Sequence, residues 1–164
     1  MQAFSTYSWD NFIGGFDCSM ELLSKFGERL TELMFYANIK SEELGAKLNL
    51  SGETIRRYCK GMNGINLANL VKLADYFKCS IEFLACRTDK QLDFTIYPTP
   101  PFPKRLRVVL HEKGYTRYSL DKYTKFKDRY ITNWDRGSQP NIFTLIELSD
   151  LLKCSIDYLV GRER

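Results

Sequence analysis

The chain carries few groups suited to covalent or metal chemistry. His111 is its single histidine, and the five cysteines, Cys18, Cys59, Cys79, Cys86 and Cys154, are odd in number and include no C-x-x-C pair. That usage points to buried or bystander thiols rather than a zinc cluster or a disulfide framework. There is no Gly-rich phosphate loop and no nucleophile motif. No catalytic residue, metal ligand, cofactor or small-molecule site is therefore assigned, and an enzyme is not expected. What the chain does hold is two short basic stretches. Residues 117–136 contain six basic and three acidic side chains, and residues 41–60 contain four and three. Arginine can take guanine O6 and N7 together, asparagine can take adenine N6 and N7, and a carboxylate can accept from cytosine N4. On their own, exposed basic residues on a short helix usually form only a solvated face. Their meaning depends on the elements that hold them.

The bulk numbers bound those elements. A length of 164 residues fits one ordinary domain or two small ones, and 44% hydrophobic with 27% charged residues is the balance of a globular chain. No apolar run approaches the roughly 18 residues of a membrane span. The opening MQAFSTYSWDNFIGGFDCSM lacks the basic start and continuous apolar core of a secretory signal, so a reducing cytoplasm is the expectation. A net charge of +4 permits nucleic-acid binding without demonstrating it.

An internal repeat organises the rest. CSIEFLACR at 79–87 and CSIDYLVGR at 154–162 are nearly the same nine letters, 75 residues apart. Followed backwards, the match pairs Leu70 with Leu145 and Leu67 with Ile142. It then shifts to an offset of 76, pairing Gly61 with Gly137, Ile55 with Ile131, Leu44 with Leu120 and Phe26 with Phe102. The duplication covers most of the chain, and repeats of this kind set the architecture.

Each unit of about 60 residues reads as five short helices. In the first, Phe26, Leu30, Leu33 and Met34 share one stripe of a helix whose start could lie as early as Ser19. A second helix spans Ser41–Leu48, and Ser51 caps a third that runs to about Lys60 and stops at Gly61. Asn66 caps a fourth with Leu67, Leu70, Leu73, Ala74 and Phe77 inward, and Ser80 caps the last. In the second unit Thr116, Asn141 and Ser155 are the matching caps, with a third helix from about Asp128 to Arg136 that Gly137 stops. Trp134, Tyr123, Phe126 and Tyr158 fall on or beside core-like positions, and His111 reads as a surface residue. Only Phe94–Tyr97 has any strand-like alternation. Between the units, Pro98, Pro100, Pro101 and Pro103 predict an extended, stiff spacer, able to reach about 40 Å over fourteen residues at about 3.1 Å each.

The pattern SEELGAKLNLSGETIRRYCKG, and in the second unit TRYSLDKYTKFKDRYITNWDRG followed by QPNIFTLIELSDLLKCSIDYLVGR, resembles the Cro/C1-type (XRE family) helix-turn-helix domains. The resemblance covers roughly 26–87 and 102–162. It implies an all-α fold of two tandem five-helix lambda-repressor-like domains joined by a Pro-rich linker. The expected division is an aromatic arm at 1–18, a first domain at 19–87, the linker at 88–101 and a second domain at 102–164. It also implies binding to double-stranded DNA through the major groove, as a repressor-like transcriptional regulator, with homodimerisation left open. Carried over by motif, the base-edge positions are Gly52, Glu53, Thr54 and Arg57 in the first unit and Asp128, Arg129, Tyr130 and Asn133 in the second. The phosphate positions are Ser41, Arg56 and Lys60, then Arg117, Lys127 and Arg136.

The two units depart from that family differently. Where the second and third helices meet, a small residue is expected; Gly45 supplies it and Asp121 does not. The turn usually holds glycine, for which Asn49 is an acceptable replacement and Lys125 a poorer one. The spans 117–136 and 41–60 carry net charges of +3 and +1, so the second unit is expected to be the stronger DNA binder. An alternative is a protein-interaction module, antitoxin-like or adaptor, on the same scaffold. For that role Phe4, Tyr7, Trp9, Phe12, Ile13 and Phe16 offer an apolar arm that docks on a partner or folds over its own domain.

Overall fold

The structure is a computed structural model that describes residues 17–92, 94–123 and 128–163. The aromatic arm expected at Phe4–Phe16, and the expectations for Lys125, Phe126 and Lys127, lie outside the described residues. Among the described residues ten helices are formed: α1 (Asp17–Tyr36), α2 (Ser41–Leu48), α3 (Gly52–Cys59), α4 (Leu67–Phe77), α5 (Ile81–Leu84), α6 (Phe102–Glu112), α7 (Arg117–Tyr123), α8 (Asp128–Asp135), α9 (Ile142–Leu152) and α10 (Ile156–Val160). No strand occurs among the described residues; residues 94–97, the only stretch with strand-like alternation, run without regular structure.

The helices begin where short polar side chains can satisfy first-turn amides. Ser51, Asn66, Ser80, Asn141 and Ser155 accept from the backbone N–H of Thr54, Asn69, Phe83, Thr144 and Tyr158 at 2.9–3.0 Å. Thr116 accepts from Ser119 N–H at 3.1 Å while Ser119 Oγ accepts from Thr116 N–H at 3.2 Å, a reciprocal cap. Each such cap contributes about 1 kcal/mol. The first and sixth helices differ in length for a covalent reason. Pro98, Pro100 and Pro101 cannot extend α6 backwards, whereas no proline blocks α1, which starts at Asp17, two residues ahead of the expected Ser19.

The cores follow the expected stripes. Phe26, Leu30, Leu44, Ile55, Leu70, Leu73, Ile81 and Leu84 are fully buried in the first half, and Leu120, Leu145, Leu148, Ile156 and Leu159 in the second. Trp134 is buried as expected, but Tyr123 is 59% exposed. The packing reading of Tyr123 is corrected: it is the last residue of α7, beyond the face that Leu120 turns inward. At Gly27, α1 and α3 meet so closely that an added Cβ would sit 2.4 Å from the Cys59 carbonyl oxygen. That oxygen is backbone and cannot rotate away. Gly27→Ala is therefore expected to force the helices apart and destabilise by about 1–3 kcal/mol, the usual range for overpacking; an unchanged thermal midpoint would contradict this packing.

The two halves join along α4, α5, α9 and α10. Asn66 and Asn141 form an isolated antiparallel bridge, flanked by Leu67 N–H to Pro140 C=O at 2.8 Å and Ile142 N–H to Ile65 C=O at 2.9 Å. Beside it, Asp157 accepts from the amides of Ile81 and Glu82 at 2.8 and 3.2 Å, and Glu82 accepts from the amide of Ile156 at 2.7 Å. Arg162 pairs with Asp75 at 2.9 Å and with Asp157, while Arg87 pairs with Asp150 at 2.6 Å and Glu82 at 2.9 Å. Arg162 and Asp157 are both 0% exposed. Burial pushes the Asp157 carboxyl up, against the Ile81 amide, the Arg162 charge and the Glu82 amide. Most of these bonds have a counterpart 75 residues along the chain: Leu67–Pro140 with Ile142–Ile65, Asp157–Ile81 with Glu82–Ile156, Arg162–Asp75 with Arg87–Asp150, and Arg162–Asp157 with Arg87–Glu82.

The proline-rich segment does not hold the halves apart, because they touch directly. It lies against both of them. Gln91 C=O accepts from Ser80 N–H at 2.7 Å, and Tyr97 N–H donates to Arg162 C=O at 2.9 Å. Burial raises the Cys79 thiol to about 12 and the Cys154 thiol to about 11, so at neutral pH both stay protonated and poorly nucleophilic.

Candidate nucleic-acid interface

The bihelical unit α2–α3 is held by two glycines and one left-handed turn residue. Asn49 takes φ 55°, ψ 49° after α2, a conformation open to asparagine at small cost, and Leu50 N–H closes onto Gly45 C=O at 2.8 Å. A Cβ at Gly45 would lie 2.8 Å from the Leu50 carbonyl oxygen, and one at Gly52 would lie 3.0 Å from Glu42 Cα. Gly52 therefore sets the approach of α3 to the start of α2. The expectation that it faces a base edge is joined by a packing role that its sequence position did not reveal.

The other first-half candidates divide sharply. Ser41 is the half-buried first residue of α2, whose N-cap Lys40 makes no side-chain cap bond. Thr54 is half-buried and its hydroxyl is hydrogen-bonded to Ser51 Oγ at 2.8 Å. Arg57 and Lys60 are exposed, and neither forms an ion pair among the described residues. Arg56 is exposed but engaged: its Nε donates to Glu53 at 3.0 Å and its Nη1 donates to Glu42. Those two carboxylates raise the guanidinium's pKa, with Glu53 the larger cause. Conversely, the Glu42 backbone amide, and then Arg56, hold the Glu42 carboxyl below its usual range. A carboxylate thus already lies at the helix start where an incoming phosphate would be expected.

The second half presents a different set. Arg117, the exposed first residue of α7, reaches across to Thr132 Oγ1 on α8 at 3.5 Å. Asp128 begins α8, and Lys127 lies outside the described residues. Arg129 is exposed, with its guanidinium 5.5 Å from the Tyr130 ring centroid, within cation–π range. Tyr130 lies 6.4 Å from Trp134, and Trp134 meets Phe102 edge-on at 5.4 Å. A stack of rings thus runs from the core to the helix surface and restrains Arg129. Asn133 and Arg136 are exposed, and Asp135, also on α8, is paired with Arg107. Asp121 is half-buried. The pairing of Arg56 with Glu42 and Glu53 was missed by sequence reasoning, although an Arg three residues after Glu53 on one helix is a recognisable signal.

Residues 37–84 match a family model described as Helix-turn-helix.

That span begins just before α2 and ends with α5, so it contains the α2–α3 unit and the helices that support it. The match supports a DNA-binding, regulatory role. No curated protein and no solved structure matches the chain. Among the described residues no helix is long and apolar enough to cross a membrane.

Proposed function

We propose that this chain is a sequence-specific double-stranded DNA-binding protein, a repressor-like transcriptional regulator with two helix-turn-helix readers, at 19–87 and 102–164. The observation that carries the reading is the exposure of Arg57, Lys60, Arg129, Asn133 and Arg136 on, or directly after, two short helices outside the seam. In such a unit the second helix enters the major groove while the start of the first faces the phosphate backbone. Arg57 suits guanine, Asn133 suits adenine, and Ser41, Lys60, Arg117, Lys127 and Arg136 address phosphates. Lys127 is included on the motif alone.

The test is a salt titration of duplex binding. Affinity should fall steeply with salt as phosphate-bound counterions are displaced. A Glu42→Gln, Glu53→Gln variant releases Arg56 from both carboxylates. It should bind more tightly than the parent, with a log–log salt slope steeper by about 0.9, the increment for one phosphate. A chain that binds no duplex at low salt, even random sequence, is not a DNA regulator. A second reading, a protein-interaction module in which the first half docks on a partner, draws on one observation: Arg56 is already neutralised within its own half.

A further inference from the structure

We infer that one copy of the chain fills an inverted DNA site whose two half-sites are unlike in sequence, an inference that rests on reading α3 and α8 as the DNA-facing helices. The orientation comes from the seam. Leu67 N–H binds Pro140 C=O, and the residue equivalent to Leu67, Ile142, binds the residue equivalent to Pro140, Ile65. The same exchange relates Arg162–Asp75 to Arg87–Asp150 and the Asp157–Ile81 cap to the Glu82–Ile156 cap. Contacts in which i meets j while j meets i define a two-fold relation; a head-to-tail array would join two different surfaces. α4 packs on α9 and α5 on α10, as that symmetry requires, while the main packing of α3 is on α1 and α2 and that of α8 is on α6 and α7, each in its own half. Elements related by a two-fold axis meet duplex half-sites that run in opposite directions, with spacing near one helical turn or its multiples.

The stoichiometry follows from the same contacts. The polar groups with which two copies could pair through the ends of α5 and α10 are already consumed inside one chain: Asp157, Glu82, Arg87 and Arg162 each bond across the seam. The dissimilarity of the half-sites follows from the reader positions. Gly52, Glu53, Thr54 and Arg57 correspond to Asp128, Arg129, Tyr130 and Asn133, different at all four and opposite in charge at the second. Arg57 selects guanine in one half and Asn133 selects adenine in the other. The site is inverted in direction but not a palindrome in letters.

The experiment is selection of the full chain on a random duplex library. Synthetic duplexes then carry the two selected halves inverted, directly repeated, or duplicated as either half alone. The expected result is a two-part motif, at least tenfold preference for the inverted unlike pair, and one chain per duplex by mass or sedimentation. Arg57→Ala should flatten base preference in one half only, and Asn133→Ala in the other half only. A direct-repeat preference, a symmetric motif, two chains per duplex, or both substitutions acting on one half would overturn the inference while leaving DNA binding intact. Failure to enrich any sequence would overturn the DNA-binding reading itself, and this inference with it.

Discussion

Arg162→Ala is expected to remove about 3–5 kcal/mol of stability, the range for breaking a buried ion pair from one side. The side chain is fully buried, and its guanidinium binds Asp75 at 2.9 Å, the Cys79 carbonyl at 3.1 Å, and Asp157. Without it, Asp157 keeps the Ile81 and Glu82 amides but loses its counter-charge. Burial already raises that carboxyl, and loss of the cation raises it further. A carboxyl whose folded pKa stands above its unfolded value contributes stability when protonated, and that contribution is lost as pH rises through the folded value. The deficit of the variant relative to the parent should therefore be full at neutral pH and shrink as pH falls through the raised Asp157 value. Urea unfolding at several pH values measures this. A loss under about 1 kcal/mol at neutral pH, well below the buried-pair range, would show that Arg162 does not hold the seam. A deficit that grows on acidification would show that Asp157 is not the group left uncompensated.

The second large effect concerns the readers. Arg129→Ala with Asn133→Ala should weaken binding to the selected duplex more than Arg57→Ala with Glu53→Ala. A bidentate base contact contributes about 1–3 kcal/mol of discrimination, so Asn133→Ala alone should lose roughly tenfold to a hundredfold in affinity for its preferred base. Arg129 lies over the Tyr130 ring, which is itself braced by Trp134, whereas removing Glu53 frees one side of Arg56 and offsets part of the loss of Arg57. Anisotropy titrations at one fixed salt concentration, with circular dichroism to check folding, decide the ranking. A greater loss from the first-half pair would overturn the assignment of α8 as the principal reader.

Much of the helical frame was legible because its signals are local. Ser51, Asn66, Ser80, Asn141 and Ser155 stand immediately before apolar periodic runs, and each caps a helix. Asn49 adopts the left-handed turn expected of it. The seam was not legible, although four of its charged residues, Glu82, Arg87, Asp157 and Arg162, stand inside the repeated phrase that exposes the duplication. Within CSIEFLACR and CSIDYLVGR the local signals are the serine caps, Ser80 and Ser155. The charged letters common to both, Glu82 with Arg87 and Asp157 with Arg162, fit a solvated helix end as far as local periodicity can tell. Only three-dimensional closure places them opposite partners some 75 residues away. The same limit hid the site's electrostatics. Glu42 and Arg56 are fourteen residues apart, on different helices, and only the tight turn at Asn49 brings them together.

Because each cap at the seam joins residues of one polypeptide, dilution does not separate the two halves. Two free domains would associate by mass action, and the assembled fraction would fall as the protein became scarce. Here closure costs only loop entropy, which grows by about 0.6 kcal/mol for each doubling of the intervening chain. The assembled fraction is therefore the same in a cell holding a handful of copies as in one holding thousands.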